Sequence, residues 1–151
     1  MRAEGKRLVL TNGCFDLLHV GHVRSLRAAS ELGDVLAGGV NGDASARRIK
    51  GPGRPLTPQD ERVEILSALE VVDYVVVFDE DTALELVTDV QPAVYVKGGD
   101  YSSDPSDPHF PPEGHVVLGY GGTVAVVDYL PEHSTTRLIN ALRDTACDSA
   151  R

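Results

Sequence analysis

Apolar and polar positions alternate along the chain in two rhythms. RLVLTN (7–12) is a short apolar run stopped by Gly13, the pattern of a buried strand. VGHVRSLRAASELGD (20–34) then sets Val20, Val23, Leu26, Ala29 and Leu32 in steps of three, a helical spacing with Gly33 as its stop. VLAGGVN (35–41) is the next strand, and DASARRIKG (43–51) carries a basic cluster, Arg47, Arg48 and Lys50, into a turn rich in glycine and proline. Thr57-Pro58-Gln59-Asp60 has the composition of a helix start: Thr57 can cap, Pro58 suits the first turn, and Asp60 and Glu61 favour the positive end. That helix runs through ERVEILSALE (61–70), with Val63, Leu66 and Leu69 inward. VDYVVVF (72–78) reads as a strand, DTALELVTDV (81–90) as a short helix closed by Pro92, and VYVK (94–97) as a strand ending in GGDY. Residues 102–114, with four prolines, read as loop, and VVLGYGG (116–122) as one helical turn. TVAVVDY (123–129) is a last strand and STTRLINALRD (134–144) a last helix, after which the tail is expected to fray.

Five strands alternating with about five helices predict an α/β fold: a parallel five-stranded sheet with helices on both faces. The 151 residues suffice for one domain, 1–151, with its core over about 7–143. In open sheets of this kind ligands bind outside the carboxyl ends of the strands. That rule gives TNGCFD, NGDAS, KGGDY and DYLPEHSTT a common address on one edge.

Composition narrows the partners. A content of 42% apolar and 25% charged residues is that of an ordinary globular protein. No apolar run approaches the roughly 20 residues that span a bilayer. The apolar run near the N-terminus is also shorter than a signal peptide's roughly 7–15 residues, so a cytoplasmic protein is expected. A net charge of −9 argues against nucleic acid, whose backbone needs a basic face, but not against a small anion in a local positive pocket. Cys14 and Cys147 are the two cysteines; they form no CxxC pair and suggest neither a zinc knuckle nor a redox dithiol.

The densest chemistry lies in TNGCFDLLHVGH (11–22), where His19 and His22 flank Gly21 at a strand-to-helix junction. As metal ligands they would need further donors, and Asp16 is the close candidate. As buried polar groups they would be satisfied by backbone at a helix end. As anion ligands they gain from the helix start, which offers free N–H groups and partial positive charge. Each imidazole can then donate one directed hydrogen bond to a phosphate oxygen.

GCFDLLHVGH resembles the GxFDxxHxGH signature of the nucleotidyltransferase superfamily that includes the cytidylyltransferases. The stretch from LGDVLAGGVNGDASARRIKGPGRPLTPQDERVEILSALEVVDYVVVFDEDT through VYVKGGDY, YGGTVAV and STTRLI is similar, in order and spacing, to the adenylyltransferase domain of the ADP-heptose synthases. The likeness covers roughly residues 7–143. It implies a Rossmann-like nucleotidyltransferase fold, with ATP and Mg²⁺ as partners and usually a homodimer. It also implies direct attack of a sugar 1-phosphate, D-glycero-D-manno-heptose 1-phosphate, on the α-phosphate of ATP, with pyrophosphate leaving. Such a reaction needs no nucleophilic side chain, so Cys14 becomes a packing or pocket-lining residue.

The resemblance assigns roles residue by residue. His19, His22 and Lys50 would be catalytic, with Lys50 closing from the RIKGPGRP turn. Asn12, Gly13, Cys14, Phe15, Gly21, Arg62, Lys97, Gly98, Asp100, Ser134, Thr135 and Thr136 would bind the nucleotide and its phosphates; Ser134, Thr135 and Thr136 also open the last helix. Asp16, Asp43 and Arg54 would meet the sugar phosphate, and Phe15 and Asp16 also shape the first loop. Asp100 could contact ribose or sugar, or help to hold Mg²⁺; no protein side chain is otherwise assigned to metal. One departure stands out: related enzymes carry arginine and glycine shortly before STT, where this chain has Glu132 and His133. Two other functions remain open, a CTP-dependent cytidylyltransferase acting on glycerol 3-phosphate or another alcohol phosphate, and a non-catalytic nucleotide-binding module.

Overall fold

A computed structural model of the chain describes residues 5–128 and 133–148. Five strands, β1 (Leu8–Gly13), β2 (Val35–Asn41), β3 (Tyr74–Phe78), β4 (Val94–Gly98) and β5 (Thr123–Val127), form one sheet in the order β3-β2-β1-β4-β5. Every pairing is parallel, with Leu8 opposite Val35, Val9 opposite Val94, Ala37 opposite Tyr74 and Val94 opposite Thr123. The helices are α1 (Val20–Ser30), α2 (Asp43–Lys50), α3 (Gln59–Ser67), α4 (Leu84–Val90), α5 (Pro112–Gly119) and α6 (Thr135–Asp148).

Side-chain alternation in the central strands builds two cores. Val9, Leu36, Val40, Val94 and Val96 pack with Leu26 and Ala29 of α1 and Leu66 of α3. Leu10, Ala37, Tyr95 and Val124 point the other way, onto Leu86 and Val87 of α4 and Val117 of α5. β2 is buried along its whole length, which is why its sequence is an unbroken run of small and apolar residues. Each such fully buried valine or leucine contributes about 1.5–3 kcal/mol.

Three expectations shift. The DASARRIK stretch is a helix, α2, with Ala46 fully buried and the basic residues in its last turn. The segment read as loop contains the start of α5, where Pro112 occupies the first helical position; its missing N–H costs nothing there. The strand expected from residue 72 begins at Tyr74, because Val72 donates its N–H to the Leu69 carbonyl in a turn (2.9 Å). The final helix runs to Asp148. Tyr129 and Glu132 lie outside the described residues.

The order of strands reverses at β1, whose neighbours are β2 on one side and β4 on the other. A crevice opens beyond the carboxyl ends of strands at such a switch point.

Candidate active site

A cleft of about 360 Å³ lies there. Its walls are the end of β1 and the following loop (Thr11 to Asp16), α1 (His19, Gly21, His22, Ser25, Leu26), Lys50 and Arg54, Gly98 at the end of β4, and Ser134, Thr135 and Thr136 at the start of α6. The first-loop histidines and the last helix's hydroxyl residues therefore share one cavity, although more than 100 positions separate them in sequence.

The histidines are held by the helix they begin. His19 is the N-cap of α1, in the extended conformation (φ −137°, ψ 171°) that caps require. Its Nδ1 accepts the Gly21 N–H at 3.1 Å, while His22 Nδ1 accepts the His19 N–H at 3.3 Å. The pair forms a capping box built from imidazoles. A ring nitrogen that accepts a backbone N–H carries no proton, so in the neutral ring the proton sits on Nε2. Both side chains are thus fixed as Nε2–H donors. The rings lie against each other, centroids 3.9 Å apart and tilted by 31°.

Burial holds both rings neutral. It pushes the His22 pKa down to about 4, with the charge of His19 acting the same way. It lowers His19 as well, with His133 adding to the effect. Each ring still offers a donor at neutral pH without a standing positive charge.

Gly21 and Phe15 make this packing possible. A Cβ on Gly21 would stand 2.9 Å from Cε1 and Nδ1 of the His19 ring and 3.4 Å from Cβ of His133. Phe15 holds φ +47°, a conformation costly for a residue with a side chain. That turn brings its ring to 5.6 Å from His22, backing the imidazole from the core side.

The second helix start is α6. Ser134 Oγ accepts the Arg137 N–H at 3.2 Å, as a cap does, and Thr135 Oγ1 donates to the Leu17 carbonyl at 3.1 Å, tying α6 to the first loop. Thr136 lines the cleft beside them, at the start of a 14-residue helix whose N-terminus carries partial positive charge.

Lys50, exposed at the end of α2, and Arg54 bring positive charge to the wall. The turn between them bends through Gly51 (φ +93°) and Gly53 (φ +80°). Arg54 is anchored: its Nε meets Asp16 Oδ2 at 2.6 Å. Asp16, 5% exposed, also accepts the Leu56 and Thr57 N–H groups at 2.8 and 3.0 Å. Its carboxylate is fully engaged in joining the first loop to the 51–57 turn. Cys14 Sγ lies 3.9 Å from Asn41 Oδ1, and burial raises the thiol's pKa, so it is a neutral lining group rather than a thiolate.

Four predicted site residues do not line this cleft. Arg62 is 1% exposed and spends its guanidinium on protein acceptors. It donates to the Thr57 carbonyl (2.9 Å), the Asn41 carbonyl (2.8 Å), the Cys14 carbonyl and Asp43 Oδ1 (2.8 Å). It is a knot beneath the loops after β1 and β2, not a phosphate arm, and Asp43 Oδ1 is its counter-ion. Lys97 stands behind Asn12, donating to its Oδ1 at 3.1 Å. Asp100 lies in an adjoining, more open cleft of about 640 Å³ that meets the first at Gly98 and carries Tyr101, His109 and Phe110. Conversely, Thr11, Ser25 and Leu26 line the cleft without having been singled out. Ser25 was legible in hindsight, since it lies one helical step of three beyond His22 and so shares its face.

The family model described as cytidylyltransferase-like matches residues 10–140. The bifunctional protein HldE of Geobacter sulfurreducens is 53% identical over 141 residues, 93% of this chain and 28% of its own length. Its namesake in Syntrophotalea carbinolica is 52% identical over 143 residues, again over 28% of its length. The chain therefore spans less than a third of these relatives. Among solved structures, the lipopolysaccharide core biosynthesis protein of Thermoplasma volcanium superposes with a TM-score of 0.67 at 28% identity, covering 83% of this chain and 98% of that one.

Proposed function

The chain belongs to the cytidylyltransferase-like family, and from that premise we propose that it is an adenylyltransferase moving AMP from ATP to D-glycero-D-manno-heptose 1-phosphate, with ADP-heptose and pyrophosphate as products. The observation that carries the reading is the shared cleft: His19 and His22, each with its Nδ1 taken by a backbone N–H, line one space with the start of α6. A triphosphate is the ligand such an array suits, because it presents many acceptor oxygens and builds charge as it reacts. The match to HldE proteins and the resemblance to the ADP-heptose synthase domain favour ATP and a heptose phosphate over other pairs.

In the mechanism we infer, an oxygen of the sugar phosphate attacks the α-phosphorus of ATP in line. The bond from that phosphorus to the bridging oxygen breaks, and its electron pair leaves on pyrophosphate. The attacking oxygen is already an anion, so no base is required. Catalysis is then positioning and charge neutralisation. His19 and His22 donate to phosphate oxygens more strongly as charge grows there, Lys50 closes over the phosphates from its glycine-flanked turn, and Ser134, Thr135 and Thr136 hold the leaving end. The sugar would extend past Gly98 toward Asp100, Tyr101 and His109.

Mg²⁺ fits this site as a passenger on the triphosphate. Among the described residues no three His, Cys, Asp or Glu side chains cluster to hold a metal, and Mg²⁺ with nucleotides commonly takes one or two carboxylates and phosphate oxygens. Asp100, exposed and without a hydrogen-bond partner among the described residues, would supply the carboxylate. The ion would add charge neutralisation at the phosphates.

No helix among the described residues is long and apolar enough to cross a membrane. The reading places the protein in the cytoplasm, where its charged substrates are made, acting without nucleic acid or membrane. It also includes a homodimer; the exposed edge strand β3, with Tyr74, Val76 and Val77 outward, offers an apolar surface for one.

The test is pyrophosphate release across ATP or CTP and heptose 1-phosphate or glycerol 3-phosphate, with product masses. Turnover with ATP and the heptose phosphate supports the reading. Preference for CTP and an alcohol phosphate would replace the substrates. ATP binding without turnover on any acceptor would reduce the protein to a nucleotide-binding module.

A further inference from the structure

We propose that Tyr95 and Lys97 are positioning residues that lock the Asn12 amide, so that its Nδ2 hydrogens face the cleft as fixed donors to a phosphate chain. The inference rests on reading the cleft as a polyphosphate site and adds to it a support reaching back to β4. Asn12 stands one step beyond Thr11, the residue of β1 paired with Val96 of β4. Alternation along the strands puts Asn12, Tyr95 and Lys97 on the same sheet face. Tyr95 Oη lies 2.8 Å and Lys97 Nζ 3.1 Å from the same atom, Asn12 Oδ1.

That shared atom decides the orientation of the amide. An ammonium has hydrogens to give and no lone pair to accept with, so its partner must be the oxygen. Two donors use both lone pairs of that oxygen. The amide nitrogen is then turned to the other side, and among the described residues no acceptor takes its two hydrogens. Asn12 lines the cleft with Gly13, His19 and His22. It therefore presents donors alone, and an anion is the ligand they suit.

The support behind it is rigid and charged. Tyr95 is fully buried, and its hydroxyl donates to Asn12. The Lys97 ammonium rests 5.5 Å from the centroid of the Tyr95 ring and 4.9 Å from that of Tyr101. Behind them Glu113 is 4% exposed; its Oε1 accepts the Ala83 N–H at 3.1 Å, and its Oε2 has no hydrogen-bond partner among the described residues. That carboxylate favours a charged Lys97, against the burial that disfavours it. The lysine's charge thus acts on the phosphates through the amide it polarises, one residue removed from the ligand.

A double-mutant cycle reads this directly, with ATP·Mg²⁺ affinity by calorimetry and kcat and KM from pyrophosphate release. Tyr95→Phe deletes the hydroxyl and keeps the ring. It should weaken ATP binding about tenfold in the otherwise native protein and less than about twofold in an Asn12→Ala background. Lys97→Met should behave in the same way. Asn12→Asp still accepts from both donors but turns an oxygen toward the phosphates; it should keep the native melting temperature and lose about 100-fold in affinity. Equal losses from Tyr95→Phe in both backgrounds, or native affinity in Asn12→Asp, would overturn the inference while leaving the cleft a nucleotide site. Native protein that binds no ATP would overturn both.

Discussion

His19 does two jobs that a single substitution can separate. Its Nδ1 caps α1 by accepting the Gly21 N–H, and its Nε2–H faces the cleft. Asparagine is among the best N-cap residues, and its side-chain oxygen can take the place of Nδ1. It reaches no further, so His19→Asn keeps the cap and deletes the cleft donor. Loss of one preorganised donor to charge developing in a transition state costs about 2.7–4 kcal/mol, or roughly 10²–10³ in kcat. His19→Ala loses both functions, with a further ~0.5–2 kcal/mol of stability from the missing cap. That corresponds to a fall of about 1–8 °C in melting temperature. Pyrophosphate release at saturating ATP and acceptor, alongside thermal melts, distinguishes the pair. The expected result is a crippled Asn variant that melts like the native protein and an Ala variant that is crippled and also less stable. An Asn variant with kcat within about threefold of native would refute the donor role.

Three other outcomes follow from the same geometry. His22 titrates near 4 when folded, below the roughly 6.5 of an unfolded chain, so the unfolded state takes up protons that the folded state refuses. Stability is then complete above about pH 6.5 and declines as the pH falls toward 4, by up to about 3 kcal/mol. His22→Gln, which keeps an acceptor for the His19 N–H, should flatten that slope in melts from pH 7 to 5, and an unchanged slope would contradict the assignment. Gly21→Ala replaces a poor helix former with a good one, worth about 1 kcal/mol, yet its Cβ meets the His19 ring at 2.9 Å. The protein should melt no lower while kcat drops about 100-fold, and native kcat would mean that the ring position is unimportant. Arg62→Met strands the carbonyls of Cys14 and Asn41 and the Asp43 carboxylate, and should cost about 3–5 kcal/mol in urea unfolding. A stable Arg62→Met variant with lost ATP affinity would restore Arg62 to the phosphates.

The sequence carried the fold where one rhythm dominated. β1, β2 and α1 were readable because continuous burial and a three-step stripe leave clear patterns. α2 was not, since DASARRIK buries only Ser45 and Ala46 and shows a basic face instead of an apolar stripe. α5 was hidden by the proline pair 111–112, whose second member turns out to start a helix rather than prevent one. The cleft itself was predictable from the carboxyl-end rule, which gathered TNGCFD and STT on one edge. The fate of individual cations was not. Lys50, Arg54 and Arg62 look alike in sequence, and only the acceptors that surround Arg62 in three dimensions decide that it is buried and committed. Tyr95 and Glu113 escaped notice for a related reason: each gains its meaning from a partner on another element.

The central claim is that two imidazole Nε2–H donors and the starts of two helices act on one triphosphate. A crystal structure with a non-hydrolysable ATP analogue and Mg²⁺ tests it most directly. Phosphate oxygens should lie about 3 Å from Nε2 of both His19 and His22, with the far end of the chain at the N–H groups of Thr135 and Thr136. A triphosphate bound elsewhere, or one touching neither ring, would contradict the account.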